Sequence, residues 1–113
     1  MAVLQEQEAK NWIGRDLDDS DGERMGKVDG LYFDETTGRP EWLLVKTGLF
    51  GDQRTLVPAA LLTRSGDHLV ASFNKEHLVQ ALRVGEDETP TEVQQRFLHR
   101  YWGLEYKPLG TRF

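Results

Sequence analysis

Five acidic side chains lie close together near the N-terminus and could supply the oxygen ligands of a calcium-binding loop. They are Asp16, Asp18, Asp19, Asp21 and Glu23. The closest alignment puts Asp19, Asp21 and Gly22 at the third, fifth and glycine positions of such a loop. Its first and last ligand positions then fall on Leu17 and Val28, whose side chains cannot bind a cation. The cluster therefore predicts a solvated hairpin and no metal site.

Other residue types that carry out chemistry are present without the spacing that the chemistry needs. The three histidines contain no pair at i and i+4, and the chain has no cysteine to complete a zinc site or act as a nucleophile. The serines lie in turns or at the end of a strand, outside any nucleophile-elbow pattern. Glu41 beside Trp42 is a single carboxylate next to an aromatic ring, which is usually structural. We expect no enzyme activity and no cofactor.

The charge balance restricts the kind of partner. The 113 residues carry a net charge of −5. Residues 1–60 hold 12 acidic and 7 basic side chains, whereas residues 61–113 hold 7 of each. An acidic N-terminal half repels polyanions, so nucleic acid and anionic lipid are disfavoured partners and a basic partner is favoured.

Composition and hydropathy indicate one globular domain in the cytoplasm. A chain of this length fits a single core, and 38% of its residues are hydrophobic. The absence of cysteine suits a reducing compartment. No apolar run approaches the roughly 18 residues of a membrane helix, and the N-terminus lacks the pattern of a signal peptide. We therefore expect a cytoplasmic protein with no membrane insertion.

Short apolar segments that alternate with turn signals predict a compact antiparallel β unit. The five predicted strands are residues 16–18, 25–33, 41–47, 54–57 and 68–73. Asp21-Gly22 and Gly38 supply the positive φ that the first two turns require. In the third strand Trp42 and Leu44 point to one face and Leu43 and Val45 to the other. Both faces of that strand must therefore be covered, one by a closed barrel and the other by a helix, a tail or a second subunit.

The period changes after residue 73, and two helices are predicted. The first is short, from Asn74 to about Leu82. The second begins at Thr89-Pro90-Thr91-Glu92, with Thr89 as the cap and Glu92 in a capping box, and ends near Gly103. Its apolar row is formed by Val93, Phe97, Tyr101 and Leu104, widened by Leu98 and Trp102. This row must be buried, either against the chain's own barrel or against a neighbour's.

A glycine-bracketed hairpin connection, Gly48-Leu49-Phe50-Gly51, presents two apolar side chains at its tip. It lacks the lysine and hydroxyl residue of a phosphate-binding loop. Apolar tips that cannot reach the core often contact another chain. Leu49 and Phe50 either bind a partner or fold back over one end of the barrel, and the sequence favours neither.

The order of these segments resembles the PRC-barrel domain family, found in the cytoplasmic part of the photosynthetic reaction centre H subunit and in a ribosome-maturation factor. The resemblance is carried by Ile13–Asp16, Asp21–Val28, Thr37–Val45 and Leu56–Pro58. It implies a small β-barrel that docks onto another macromolecule and has no shared catalytic residue or cofactor. The tip and the second helix are similar to the form common in stand-alone bacterial members. The predicted divisions are an N-terminal segment (1–12), a PRC-barrel-like domain (13–84), and a C-terminal helical extension and tail (85–113).

The leading functional hypothesis is a non-enzymatic protein-interaction or assembly module that forms a homodimer. Its predicted partner-binding residues are Trp42, Leu44, Leu49, Phe50, Tyr101 and Trp102. The resemblance also leaves open a ribosome- or RNA-associated maturation factor, which the overall acidity disfavours. A further alternative is a small-ligand sensor with a pocket at the barrel mouth.

Overall fold

The computed structural model describes residues 9–47, 53–85 and 87–113. The strands are β1 (Asp16–Asp18), β2 (Arg24–Phe33), β3 (Pro40–Lys46), β4 (Arg54–Pro58), β5 (Leu62–Ser65), β6 (His68–Ala71), β7 (Arg83–Val84) and β8 (Thr111–Arg112). One α-helix, α1, spans Glu92–Tyr101, and residues 9 and 10 are also helical. Two 3₁₀ turns cover Ala59–Leu61 and Lys75–Leu78. No helix among the described residues is long and apolar enough to cross a membrane.

The strands form a single sheet in the order β5-β6-β1-β2-β3-β4-β7, with β8 added to β2. The prediction of a closed, purely antiparallel barrel needs two corrections. The end strands β5 and β7 are not paired with each other in the described part of the chain, so the sheet is open there. With four and two residues, these strands offer little backbone for a closing ladder. In addition, β1 runs parallel to β6.

The two predicted hairpin turns have the expected backbone. Gly22 follows β1 with φ +85°, and Gly38 precedes β3 with φ +73°. Both values lie in the left-handed region that favours glycine. In the second turn the Asp34 carboxylate accepts hydrogen bonds from the backbone N–H groups of Thr36 and Thr37, which holds the chain between β2 and β3.

Both faces of β3 are buried, as the sequence predicts. Leu43 and Val45 lie in the larger hydrophobic cluster with residues of β1, β2, β4 and β6. Trp42 and Leu44 lie in a second cluster on the opposite face, together with Leu98 of α1. The helix of the chain itself therefore covers the second face of the sheet.

The predicted helix from Asn74 to Leu82 is wrong. This segment forms the 3₁₀ turn Lys75–Leu78, and the Asn74 side chain makes no capping hydrogen bond. The Lys75 N–H donates instead to the carboxylate of Asp19, 3.0 Å away. So short a helix is marginal without extensive packing, and here the chain must turn into β7 directly afterwards.

The second helix exists, but it begins at a different residue from the one predicted. Thr91, and not Thr89, is the N-cap, and it forms a capping box with Gln94. The residues of α1 that are buried are Leu98 and His99. Val93 and Phe97, which belong to the predicted apolar row, are 77% and 41% exposed. Only one narrow side of α1 therefore meets the sheet of the same chain.

Three strands were not predicted: β5, β7 and β8. Two of them are only two residues long, which leaves no periodic pattern to detect. The pairing of β8 with β2 brings the end of the chain against the sheet, where the Phe113 N–H donates to the Leu31 carbonyl and the Leu31 N–H to the Phe113 carbonyl. A Cβ atom at Gly110 would lie 1.8 Å from the Phe33 carbonyl oxygen, so this close approach requires glycine.

Candidate functional site

The acidic hairpin is a structural feature built around Asp19, which is 1% exposed. Its Oδ1 accepts hydrogen bonds from the N–H groups of Asp21 and Glu23, and its Oδ2 accepts one from Lys75. Burial raises the pKa of this carboxyl, but the backbone hydrogen bonds outweigh burial and lower the pKa below its ordinary value. Asp19 joins the β1–β2 turn to the 3₁₀ turn after β6.

Two neighbouring carboxylates, those of Asp16 and Asp18, also contact polar side chains. Asp16 lies 3.1 Å from Arg24 and 3.5 Å from Lys27. Asp18 lies 2.8 Å from the Nδ1 atom of His68. Across the described ranges of the chain, no three His, Asp or Glu side chains are grouped so that they could hold a metal ion. In this hairpin the Asp19 carboxylate stabilises the turn through its hydrogen bonds to backbone N–H groups.

The sequence-predicted partner residues lie in different environments. Trp42 and Leu44 are 2% and 1% exposed, and they lie in the hydrophobic cluster under α1. Leu49 and Phe50 fall outside the described residues. Their role stays a prediction.

Tyr101 and Trp102, the other two predicted partner residues, are half-buried and connect α1 to the 3₁₀ turn at 75–78. The Tyr101 hydroxyl donates a hydrogen bond of 2.6 Å to the His77 carbonyl oxygen. The Trp102 ring lies 4.9 Å from the rings of both Phe73 and His77. Much of their contact surface is therefore used within the chain.

The outer face of α1 exposes two apolar side chains, and the sequence does not predict which side of the helix they occupy. We define it by Val93, Phe97 and Arg100, which follow one another at spacings of four and three residues. All three side chains are exposed, whereas Leu98 on the other side of the helix is fully buried. Helical periodicity detected both sets of apolar residues but could not tell which set meets the sheet.

A cavity of about 280 Å³ lies between the sheet and the segment that follows α1. Its walls come from β3, from the end of β4 and the turn after it, and from the C-terminal part of the chain. The lining residues are Pro40, Glu41, Trp42, Pro58, Ala60, His99, Leu104, Glu105 and Lys107. No local sequence motif marks this site, because its lining residues are separated by up to 67 positions along the chain.

Lys107 fastens one wall of the cavity to the sheet. Its ammonium group lies 3.1 Å from the Glu41 carboxylate and also pairs with Asp34. Hydrogen bonds to Asp34 and then to Glu41 raise the pKa of Lys107, and the reciprocal bond lowers the pKa of Asp34. Glu41, which sequence analysis considered as a lone carboxylate beside Trp42, thus has a cationic partner.

His99 forms the back of the cavity and is 4% exposed. Its ring meets Trp42 and Tyr106 edge-on, with centroid distances of 5.2 and 5.5 Å. Its Nδ1 lies 2.7 Å from the Gln95 carbonyl oxygen. A carbonyl oxygen can only accept, so Nδ1 carries the proton and donates.

Comparison with known proteins identifies the family. The sequence model of the PRC-barrel domain matches residues 5–78, which is more than half of the chain. The matched range contains β1 to β6, and it ends before β7, α1 and β8. No curated protein matches the sequence. The open β sheet with its turn chemistry and the extent of the match together show that this chain belongs to the PRC-barrel domain family.

Proposed function

We propose that this protein is a non-enzymatic assembly module that pairs with a second copy of itself through the outer face of α1. Family membership indicates a generic interaction or assembly module. The observation that carries the finer proposal is the exposure of Val93 and Phe97 on a helix that is already anchored by Leu98. A helix that exposes apolar residues on its free side typically buries them against another surface.

The charges beside this face favour a second copy in antiparallel orientation. Glu92 begins α1, whereas Arg96 and Arg100 lie in its middle and last turn. In an antiparallel pair, Glu92 of one copy lies near Arg100 of the other, and the same contact occurs twice by symmetry. A parallel pair would instead place like charges together, which is unfavourable.

The proposal requires that the helix keeps its position when the partner is absent. Three contacts of the single chain provide this: the burial of Leu98, the hydrogen bond of Tyr101 to His77, and the packing of Trp102 on Phe73. A rigid, preformed face loses little conformational entropy on binding. We therefore expect association without refolding of α1.

Analytical ultracentrifugation of the unaltered protein and of Val93→Asp and Phe97→Asp, over micromolar to millimolar concentrations, tests the proposal. Val79→Asp is the matched control, because Val79 is 53% exposed and lies outside α1. Aspartate at position 93 lies in the first turn of α1, where a negative charge is favourable for the helix. We expect the two α1 variants to weaken dimerisation at least about tenfold and the control to leave it unchanged.

Two outcomes would overturn the proposal. One is a protein that stays monomeric at millimolar concentration. The other is a dimer that survives both α1 substitutions. In the second case Phe50→Asp, measured in the same series, tests the predicted contact at the Leu49-Phe50 tip.

From the composition we also expect that the protein has no enzyme activity and lies in the cytoplasm. A ribosome- or RNA-associated role follows only from the family resemblance, and the net charge of −5 weighs against it. Binding to a structured RNA that persists at high salt would support that role against ours.

A further inference from the structure

We propose that the cavity in front of His99 binds a small aromatic amine in its cationic form. This goes beyond the assembly role, because the site lies within one chain and requires no second protein. The cavity has the composition of a small-ligand site: mostly apolar walls with a small number of polar groups. The proposal depends on the shape of the walls, the free nitrogen of His99 and the charge at the rim.

The apolar walls of the cavity favour a ligand with one flat aromatic ring system. Trp42 forms one side, and two proline rings, Pro40 and Pro58, contribute rigid apolar surface that loses no side-chain freedom on binding. Leu104 adds an aliphatic side chain that is 44% exposed in the free protein. The volume of about 280 Å³ is at the small end of ligand sites, which favours one ring system over a peptide segment.

His99 offers a ligand one hydrogen-bond acceptor. Because Nδ1 donates to the Gln95 carbonyl, the neutral ring carries its lone pair on Nε2. Nε2 has no hydrogen-bond partner among the residues that the structure describes. The contacts with Trp42 and Tyr106 hold the ring in place, so the acceptor is oriented before a ligand arrives. An acceptor oriented in this way selects a ligand that carries an N–H or O–H donor.

Among ligands that carry such a donor, the charged side chains that line the cavity favour a cation. The lining residues include two carboxylates, Glu41 and Glu105, and one ammonium group, Lys107. Lys107 is already bound by Glu41 and by Asp34, so its positive charge is balanced within the chain. Glu105 has no ion-pair partner in the described parts of the chain. Its negative charge at the rim is available for an ammonium group on the ligand.

Three probes with one ring system and different charges test the inference: tryptamine, indole and indole-3-acetate. Each has the indole N–H as a donor to Nε2, and they differ in the charge that reaches the rim. Titrations by isothermal calorimetry at pH 8 measure the three affinities. We expect tryptamine to bind most tightly, indole more weakly and indole-3-acetate most weakly.

Three substitutions and one control separate the contributions of cavity volume, acceptor and charge. Ala60→Phe fills the cavity from an exposed position and abolishes binding of all probes, whereas Ser65→Phe, at an exposed position in the β5–β6 hairpin, leaves binding unchanged. His99→Phe keeps a ring against Trp42 but removes the acceptor, and it weakens tryptamine and indole about tenfold. Glu105→Gln weakens tryptamine about threefold and leaves indole unchanged.

The inference is overturned if none of the probes binds at millimolar concentration, or if Ala60→Phe leaves their affinities unchanged. Equal affinity for tryptamine and indole-3-acetate would contradict the assigned charge preference. If His99→Phe unfolds the protein, the Ala60→Phe and Ser65→Phe pair still decides where the probes bind.

Discussion

The two faces of α1 contain similar residues but have different environments. On the inner face Leu98 is fully buried against Trp42 and Leu44. On the outer face Val93 and Phe97 are 77% and 41% exposed. The inner face stabilises the single chain, and the outer face is the surface that we propose for dimerisation. An apolar side chain on this helix is therefore buried or exposed according to which side of the axis it occupies.

Two buried polar side chains, Asp19 and His99, differ in how many of their polar atoms have hydrogen-bond partners. Asp19 accepts three backbone hydrogen bonds, and each of its oxygens has a partner. His99 uses one nitrogen for Gln95 and leaves the other unpaired among the described residues. A carboxylate whose oxygens all accept hydrogen bonds has a structural role, whereas the unused acceptor on the buried His99 ring is the basis of the ligand site that we propose.

The largest expected difference between the two faces of α1 is in stability. Leu98→Ala should lower the free energy of unfolding by about 3 kcal/mol, because it leaves a cavity between α1 and the sheet. Val93→Ala should change it by less than about 0.5 kcal/mol, because the side chain is already in solvent. Urea denaturation at low protein concentration, where dimerisation does not contribute, measures both. Equal losses would contradict the assignment of the two faces.

The attachment of the segment after α1 should depend on pH through Asp34. Lys107 and two backbone N–H groups lower the pKa of Asp34 below its ordinary value of 3.8. A carboxyl whose pKa is lower in the folded state stabilises the fold above the unfolded pKa, and this stability is lost as pH falls through the folded pKa. The unfolding free energy of the unaltered protein should exceed that of Asp34→Asn most at pH 7, and the difference should narrow below about pH 4. A difference that is constant from pH 7 to pH 3 would show that the carboxylate charge does not contribute.

A smaller effect is expected at the start of α1, where both faces depend on the same cap. Thr91→Ala removes the acceptor for the Gln94 N–H and should cost about 1 kcal/mol, whereas Thr91→Ser keeps the hydroxyl and most of the stability. Thermal denaturation followed by circular dichroism compares the two variants. If Thr89→Ala is the more harmful substitution, the helix begins at the position that the sequence first indicated.

Much of the fold could be predicted from local chemistry. The strands β1 to β4 and β6 were recognised because apolar segments alternate with turns that contain Gly22 and Gly38. The coverage of both faces of β3 followed from four consecutive apolar residues. The three short or edge strands and the 3₁₀ turn after β6 were missed because their pairing depends on distant backbone, with β8 meeting β2 across about 80 positions.

The candidate sites were harder to predict. Trp42 was correctly identified as a residue that needs cover, but the structure places the helix of the same chain over it. His99, Glu41 and Lys107 gave no motif, since they come together only when α1 and the following segment fold onto β3. The spacing of these residues along the chain does not predict that α1 and the following segment contact β3.

The turn positions, the main strand segments, the acidic charge and the resemblance to the PRC-barrel family could be predicted from the sequence, because each of these depends on residue type and short-range spacing. Only the folded chain shows which face of α1 is exposed, where the described sheet stays open and which polar groups surround the cavity. These depend on packing between segments far apart in the chain, where one helix can turn either of two apolar sides toward the sheet. Leu98 was buried and Val93 exposed by that packing and not by hydrophobicity alone.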